Sequence, residues 1–274
     1  MPDAVLLDTS ALPVWRGLNG PLWLSARKLC EIPGIIVYLP ELVVHESVNL
    51  RAEHFTSVAA VFIGAYSKVE RFFDVDPIYV PDMNEIETTW ENELRTTFTV
   101  IDLDGEDAVD ALRREAKRTR PARQGRGGRD SAIWMTAIRL AATHDTVFFV
   151  SNNTSDFAVG KSGQLHPSLA SEVAAAGAQV EYLTSVHGLI ERLATLVELP
   201  GLDVSSAAQV LRVELREQVL DASAGVDKYD GLGAADMTLD SLTIGDATIK
   251  KAYTIGDRNL ALVMGFRRVI HRPT

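Results

Sequence analysis

The sequence predicts an α/β protein: a three-layer sandwich on a parallel sheet over 1–200, followed by a helix and a small antiparallel β appendage over 201–274. Three observations predict it. Short unbroken apolar runs, rich in β-branched and aromatic residues, suit strands buried on both faces. Between them lie amphipathic helical stretches, so strands and helices alternate along the first 200 residues. After Pro200-Gly201 the pattern changes to short alternating runs punctuated by Gly-Asp.

In chain order, the first strand is the run 4–7, ending in Asp8. The second is 35–39, closed by Pro40, and a weaker third is 99–101. Val147-Phe148-Phe149-Val150 is the fourth and 179–183 the fifth. A helix is predicted over 41–73 from apolar residues at Val44, Val48, Phe55, Val58, Phe62 and Val69. Further helices are predicted over 84–98, 106–118, 131–143, 168–176 and 185–197. The helical insertion between the second and third strands exceeds what a simple crossover needs. Beyond Pro200, a helix over 205–220 carries Leu211, Leu215 and Leu220 on one side. The triplet Ile-Gly-Asp then recurs at 244–246 and 255–257, which reads as the turns of a β-meander.

Composition narrows the function classes. At 274 residues, with 46% hydrophobic and 23% charged, the chain can bury a full core and is not a disordered or fibrous protein. One cysteine, Cys30, excludes a disulfide framework and a Cys-rich zinc module. The start lacks the basic region of a signal peptide, and the longest apolar run, 58–66, falls short of the roughly 20 residues of a membrane span. A soluble, cytoplasmic chain with no membrane partner is therefore expected. The net charge of −10 disfavours nucleic acid, but the average conceals a basic segment. Eight of the 27 basic residues lie within 113–129 (Arg113, Arg114, Lys117, Arg118, Arg120, Arg123, Arg126 and Arg129) against the single acid Glu115. Screening confines each field to about 8–10 Å, so a local basic stripe on an acidic body can still meet phosphates.

In an open parallel sheet, ligands bind beyond the carboxyl ends of the strands. Asp8 follows the first strand, and Glu46 lies a turn and a half into the helix after the second. Asp130 stands at or near an N-cap in Gly128-Arg129-Asp130-Ser131, and Asp156 follows the fourth strand in Ser151-Asn152-Asn153-Thr154-Ser155-Asp156-Phe157. Each has an ordinary explanation: Asp130 as a cap, Asp8 as a polar strand end, Asp156 as a turn former. Glu46 is harder to dismiss among Val43, Val44 and Val48. All four at one edge call for a common cause. Two carboxylates about 4 Å apart repel by roughly 4 kcal/mol even at an effective dielectric near 20, so a cation or protons must hold them. Without Cys or a usable His nearby, Mg²⁺ or Mn²⁺ is favoured over Zn²⁺. His45 adjoins Glu46 but belongs to another helix face. Carboxylate-held Mg²⁺ pairs serve phosphodiester hydrolysis.

These motifs together, Leu7-Asp8-Thr9-Ser10, Glu46 within a helix, Gly128-Arg129-Asp130-x-x-Ile133-Trp134 and Ser151-Asn152-Asn153-Thr154-x-Asp156-Phe157, resemble the PIN domain over roughly residues 4–195. The resemblance implies a Rossmann-like α/β/α sandwich and a Mg²⁺- or Mn²⁺-dependent endoribonuclease, with a toxin-type role permitted. It implies that Asp8, Glu46, Asp130 and Asp156 are catalytic metal ligands and that Ser151 and Asn153 match polar positions of the fourth motif. Asp8 and Asp130 are expected to ligate directly or through water, with Glu46 and Asp156 placing a second ion or the attacking water. Beside such a site, Arg120, Arg123, Arg126 and Arg129 are expected to bind the substrate backbone, aided by Gly125, Gly127 and Gly128. RNA is the expected partner, with DNA left open, and a protein inhibitor or a homodimer is compatible with the resemblance. Other folds that place an Asp after the first strand fit less well. A haloacid-dehalogenase-like phosphatase needs a second Asp where Ser10 stands, and a dinucleotide-binding domain needs a Gly-rich first turn. The alternative of another class is a non-catalytic PIN-like scaffold that binds RNA or protein.

Overall fold

The computed structural model describes residues 2–14, 17–73, 76–123, 125–160, 163–197, 242–255 and 259–270. The chain divides into two compact units, Met1–Leu193 and Ala194–Thr274. The first is an α/β sandwich on a five-stranded, all-parallel sheet of order β3-β2-β1-β4-β5. Its strands are β1 Asp3–Leu7, β2 Ile35–Pro40, β3 Thr99–Ile101, β4 Val147–Val150 and β5 Val180–Leu183. β1 and β4 lie at the centre, and Ala4 to Leu7 and Val147 to Val150 are buried throughout, as strands covered on both faces require.

The helices are α1 Pro21–Leu29, α2 Glu41–Val69, α3 Met83–Thr97, α4 Gly105–Lys117, α5 Gly128–Ala141, α6 Thr154–Phe157, α7 Pro167–Ala175 and α8 Val186–Leu193. Right-handed crossovers put the connections from β1 through β3 on one face of the sheet and those from β3 through β5 on the other. Accordingly α2 packs on α3, and α4 packs on α5. Trp134 of α5, fully buried, joins Phe149 and Phe157 in a cluster of edge-on and tilted rings. Helix α2 outruns the sheet: its buried residues, Val43, Val44, Ser47, Val48 and Ala52, all lie in its first half.

Several expectations need correction. Helix α1 was not foreseen; Trp23, Ala26 and Leu29 bury one side of a nine-residue segment opened by Pro21. The last predicted helix of the first unit stops at Leu193, and Thr195–Leu196 instead form β6, antiparallel to β7 (Leu242–Ile255). β-Branched Thr195 and Val197 suit that pairing, and Val197 N–H donates to the carbonyl of Ala252 (2.9 Å). β7 pairs in turn with β8, Asn259–Ile270, so the second unit contains a three-stranded antiparallel sheet. Gly245-Asp246 is no turn: the register shifts between Ile244 and Ala247, making a β-bulge inside β7. The helix expected over 205–220 and the second Gly-Asp pair lie outside the described residues. Among the described residues, no helix is long and apolar enough to cross a membrane.

Candidate active site

Asp8 leaves β1 at its carboxyl end and is 3% exposed. Its Oδ2 accepts from the hydroxyls of Ser10 and Ser151, each at 2.7 Å. Each hydroxyl in turn accepts a backbone N–H of the loop after β4: Asn152 to Ser10 (2.9 Å) and Asn153 to Ser151 (3.1 Å). A hydroxyl has one hydrogen to give, and both are committed to Asp8. The two central strand ends are thereby tied together around one carboxylate. Below it, Tyr182 of β5 donates to the carbonyl of Ser151 (2.8 Å). Burial, and then the charge of Asp8, push the Tyr182 hydroxyl up to about 12.

Glu46 enters from α2. Its Oε2 accepts from Thr9 Oγ1 (2.7 Å), in the short turn Thr9–Ala11, and its Oε1 meets Arg129 Nη1 at 2.6 Å. His45 faces elsewhere and pairs with Glu41 (3.2 Å). Asp130 is not the N-cap of α5. That place belongs to Gly127, at φ 98°, so Gly128, Arg129 and Asp130 form the first helical turn. Freed from capping, Asp130 Oδ1 accepts from Asn153 Nδ2 (3.2 Å). Asp156 lies within α6, a single helical turn and not a loose loop. Its Oδ2 accepts from the same Asn153 Nδ2 (3.0 Å). The Asn153 oxygen accepts from Ser155 Oγ (2.8 Å), which fixes which end of the amide faces the acids.

The four carboxylates thus come from four elements to one edge of the sheet. Burial raises the Asp130 carboxyl to about 6, and the charges of Asp8, Asp156 and Glu46 push the same way against the Asn153 hydrogen bond. As they stand, no three His, Cys, Asp or Glu side chains among the described residues converge closely enough to cage an ion. The donor set is all oxygen, with Asp8 buried and Asp130 raised by burial and by its neighbours' charges, and oxygen donors of this kind are the ones hard divalent cations take.

The basic segment splits in two. Arg114 turns inward: Nη2 meets Glu172 at 2.5 Å, Nη1 donates to the Arg120 carbonyl (2.6 Å), and Trp134 Nε1 donates to the same Glu172 (3.0 Å). Arg113 pairs with Asp110 on its own helix. The second half reaches the acids. Arg123 holds Asp156 (2.6 Å), Arg129 holds Glu46, and Arg120 Nη1 donates to the carbonyls of Ser155 (3.1 Å) and Asp156 (3.0 Å). Arg126 is exposed, and its backbone exchanges paired hydrogen bonds with that of Arg123. Sequence reasoning missed Tyr182 and the Arg114–Glu172–Trp134 trio. Their partners are distant in sequence, and no local spacing signals them. No family model matches the chain, and neither a curated protein nor a solved structure does.

Proposed function

We propose that the first unit is a PIN-type nuclease that hydrolyses phosphodiester bonds of RNA, in the cytoplasm, with Mg²⁺ or Mn²⁺ held by Asp8, Glu46, Asp130 and Asp156. The observation that supports this reading is the hydrogen-bonded web of Ser10, Ser151 and Asn153, which ties Asp8, Asp130 and Asp156 together while Thr9 holds Glu46 beside them. A bound divalent cation supplies charge neutralisation for the carboxylates and for the phosphate as its bond breaks. In the overall reaction, water adds its oxygen to phosphorus, the bond to the leaving ribose oxygen breaks, and that oxygen gains a proton. Ser10 and Ser151 orient Asp8, and fully buried Ser151 acts as a positioning residue without reaching substrate. Asn153 keeps Asp130 and Asp156 apart yet aligned. Arg123 and Arg129 neutralise two of the acids and stand beside the site as donors that could engage substrate phosphates.

The test is cleavage of single-stranded RNA and DNA by the purified chain. Cleavage should require Mg²⁺ or Mn²⁺ and stop in EDTA. Loss of a group that merely orients a ligand costs about 10–100-fold, so Asp8→Asn should cost at least about 100-fold. Binding of RNA without cleavage, unchanged by Asp8→Asn, would establish the non-catalytic scaffold instead.

A further inference from the structure

Beside the carboxylates, the start of α7 gathers a second set of basic groups. After α6 the chain turns back on itself, pairing Ala158 with Leu165, and His166 N–H donates to the carbonyl of Phe157 (2.8 Å). That puts His166 next to the stretch on which two arginines already rest. Arg120 holds the carbonyls of Ser155 and Asp156, and Arg123 holds the Asp156 carboxylate. The ring of His166 is fixed at one nitrogen. It caps α7, where Ser168 N–H donates to Nδ1 (3.3 Å) and Ser168 Oγ lies 2.8 Å from the same atom. A backbone N–H can only donate, so Nδ1 is the bare nitrogen and Nε2 carries the hydrogen. Among the described residues, Nε2–H has no partner. Arg120 spends only Nη1 on the two carbonyls, which leaves Nε and Nη2 to give. Partial burial, and then the charges of Arg120 and Arg123, push the imidazole below its usual range.

We infer that His166 joins Arg120 and Arg123 in a phosphate-binding subsite, separate from the carboxylates and filled by a phosphate of a nucleic-acid strand. The side chains offer N–H donors only, and Asp156, already paired with Arg123, is the acid in contact with them. Such a set is satisfied by an oxyanion with several acceptor oxygens, and an anion there relieves the crowding of basic groups. The donors are held before any ligand arrives, His166 by Phe157 and Ser168 and Arg120 by two carbonyls. Groups fixed in advance lose little freedom on binding. His166 lies far along the chain from both arginines and meets them only through the turn after α6. The stretch they share carries Asp156 into the acid cluster, so a strand held here passes the carboxylates. The inference does not depend on nuclease activity, because holding a phosphate needs neither the cation nor the reaction.

The test uses the full chain in EDTA, at neutral pH and constant ionic strength, with inorganic phosphate as the probe. NMR of the imidazole groups should show His166 shifting and saturating in the millimolar range. His45 and His187, exposed on α2 and α8, should stay still. Single-stranded oligonucleotides with and without a terminal phosphate then locate the ligand. A His166 shift with both marks an internal phosphate, and a shift with the phosphorylated one alone marks a terminal one. His166→Asn keeps a cap for Ser168 N–H but withdraws the Nε2 donor. Its thermal melt should match the wild type, while its oligonucleotide affinity should fall at least about 10-fold. A His166 resonance unmoved by phosphate or by both oligonucleotides, an equal shift at His187, or unchanged affinity in His166→Asn would overturn the subsite. Cleavage enters none of these measurements, so failure of the nuclease leaves their outcome as it is.

Discussion

Asn153 gives away both amide hydrogens, one to Asp130 and one to Asp156, and at Asp130 that bond opposes a larger upward push from burial and from the charges of Asp8 and Asp156. Asp130 remains the most burdened acid, raised from 3.8 to about 6 by burial and by its neighbours' charges. An acid whose folded pKa exceeds its unfolded value holds its proton more tightly in the native state. Metal-free stability should therefore fall as pH rises from about 4 to about 6. Asp130→Asn should relieve this, stabilising the EDTA-treated chain at pH 7 by about 1 kcal/mol after solvent screening of a half-buried group. The gain should vanish below pH 4, and paired thermal melts at the two pH values check it. At this scale Asp8, Asp130 and Asp156 were readable because each stands where a strand ends or a helix begins, whereas Glu46, a turn and a half into α2, stood out as an acid among valines. The roles of Ser10 and Ser151 were not, since a hydroxyl declares its partner only when strands 140 residues apart are neighbours.

Gly127 sets the start of α5 and with it the placement of Asp130. A Cβ there would lie 3.0 Å from the Ala122 backbone and 3.3 Å from Asp130 Oδ2, on a φ that side chains rarely adopt. Gly127→Ala should cost about 1–2 kcal/mol in denaturant melts and weaken Mn²⁺ binding by calorimetry, because the first turn of α5 must shift. A wild-type melt in that variant would remove the link between the cap and the site. The arginines form the other element-scale device. Replacing Arg123 and Arg129 with Ala should tighten Mn²⁺ binding, since Glu46 and Asp156 lose competing partners. It should also weaken RNA binding and flatten the log–log salt dependence by about 1.4, at roughly 0.7 per phosphate contact on a single strand. Titrations at several salt concentrations measure both effects. The five strands of the first sheet were readable because each is a short stretch carrying β-branched or aromatic residues, though Glu181 interrupts β5. Helix α1 and the bulge at Gly245-Asp246 were not: the apolar side of α1 shows only once Trp23, Ala26 and Leu29 are seen buried, and the bulge depends on its partner strand's register.

Across the whole molecule, charge is arranged by contrast: 19 basic residues face 36 acidic ones outside 113–129, and the four acids of the site lie where that segment ends. Sequence spacing brought the basic segment to the site correctly in outline, but it could not show that Arg114 turns inward to Glu172. The strand order has a consequence in time as well as in space. β1 can pair with β2 once both are made, but its other neighbour is β4, and Asp8 waits for Ser151. Bringing such distant segments together carries a loop-closure cost that delays their pairing. On a ribosome adding about 5–20 residues per second, Asp8 and Glu46 emerge many seconds before Asp130 and Asp156. Until then the growing chain displays two isolated acids and no assembled site. An architecture that seats β1 between an early strand and a late one leaves the cluster of acids unbuilt until β4 has been made.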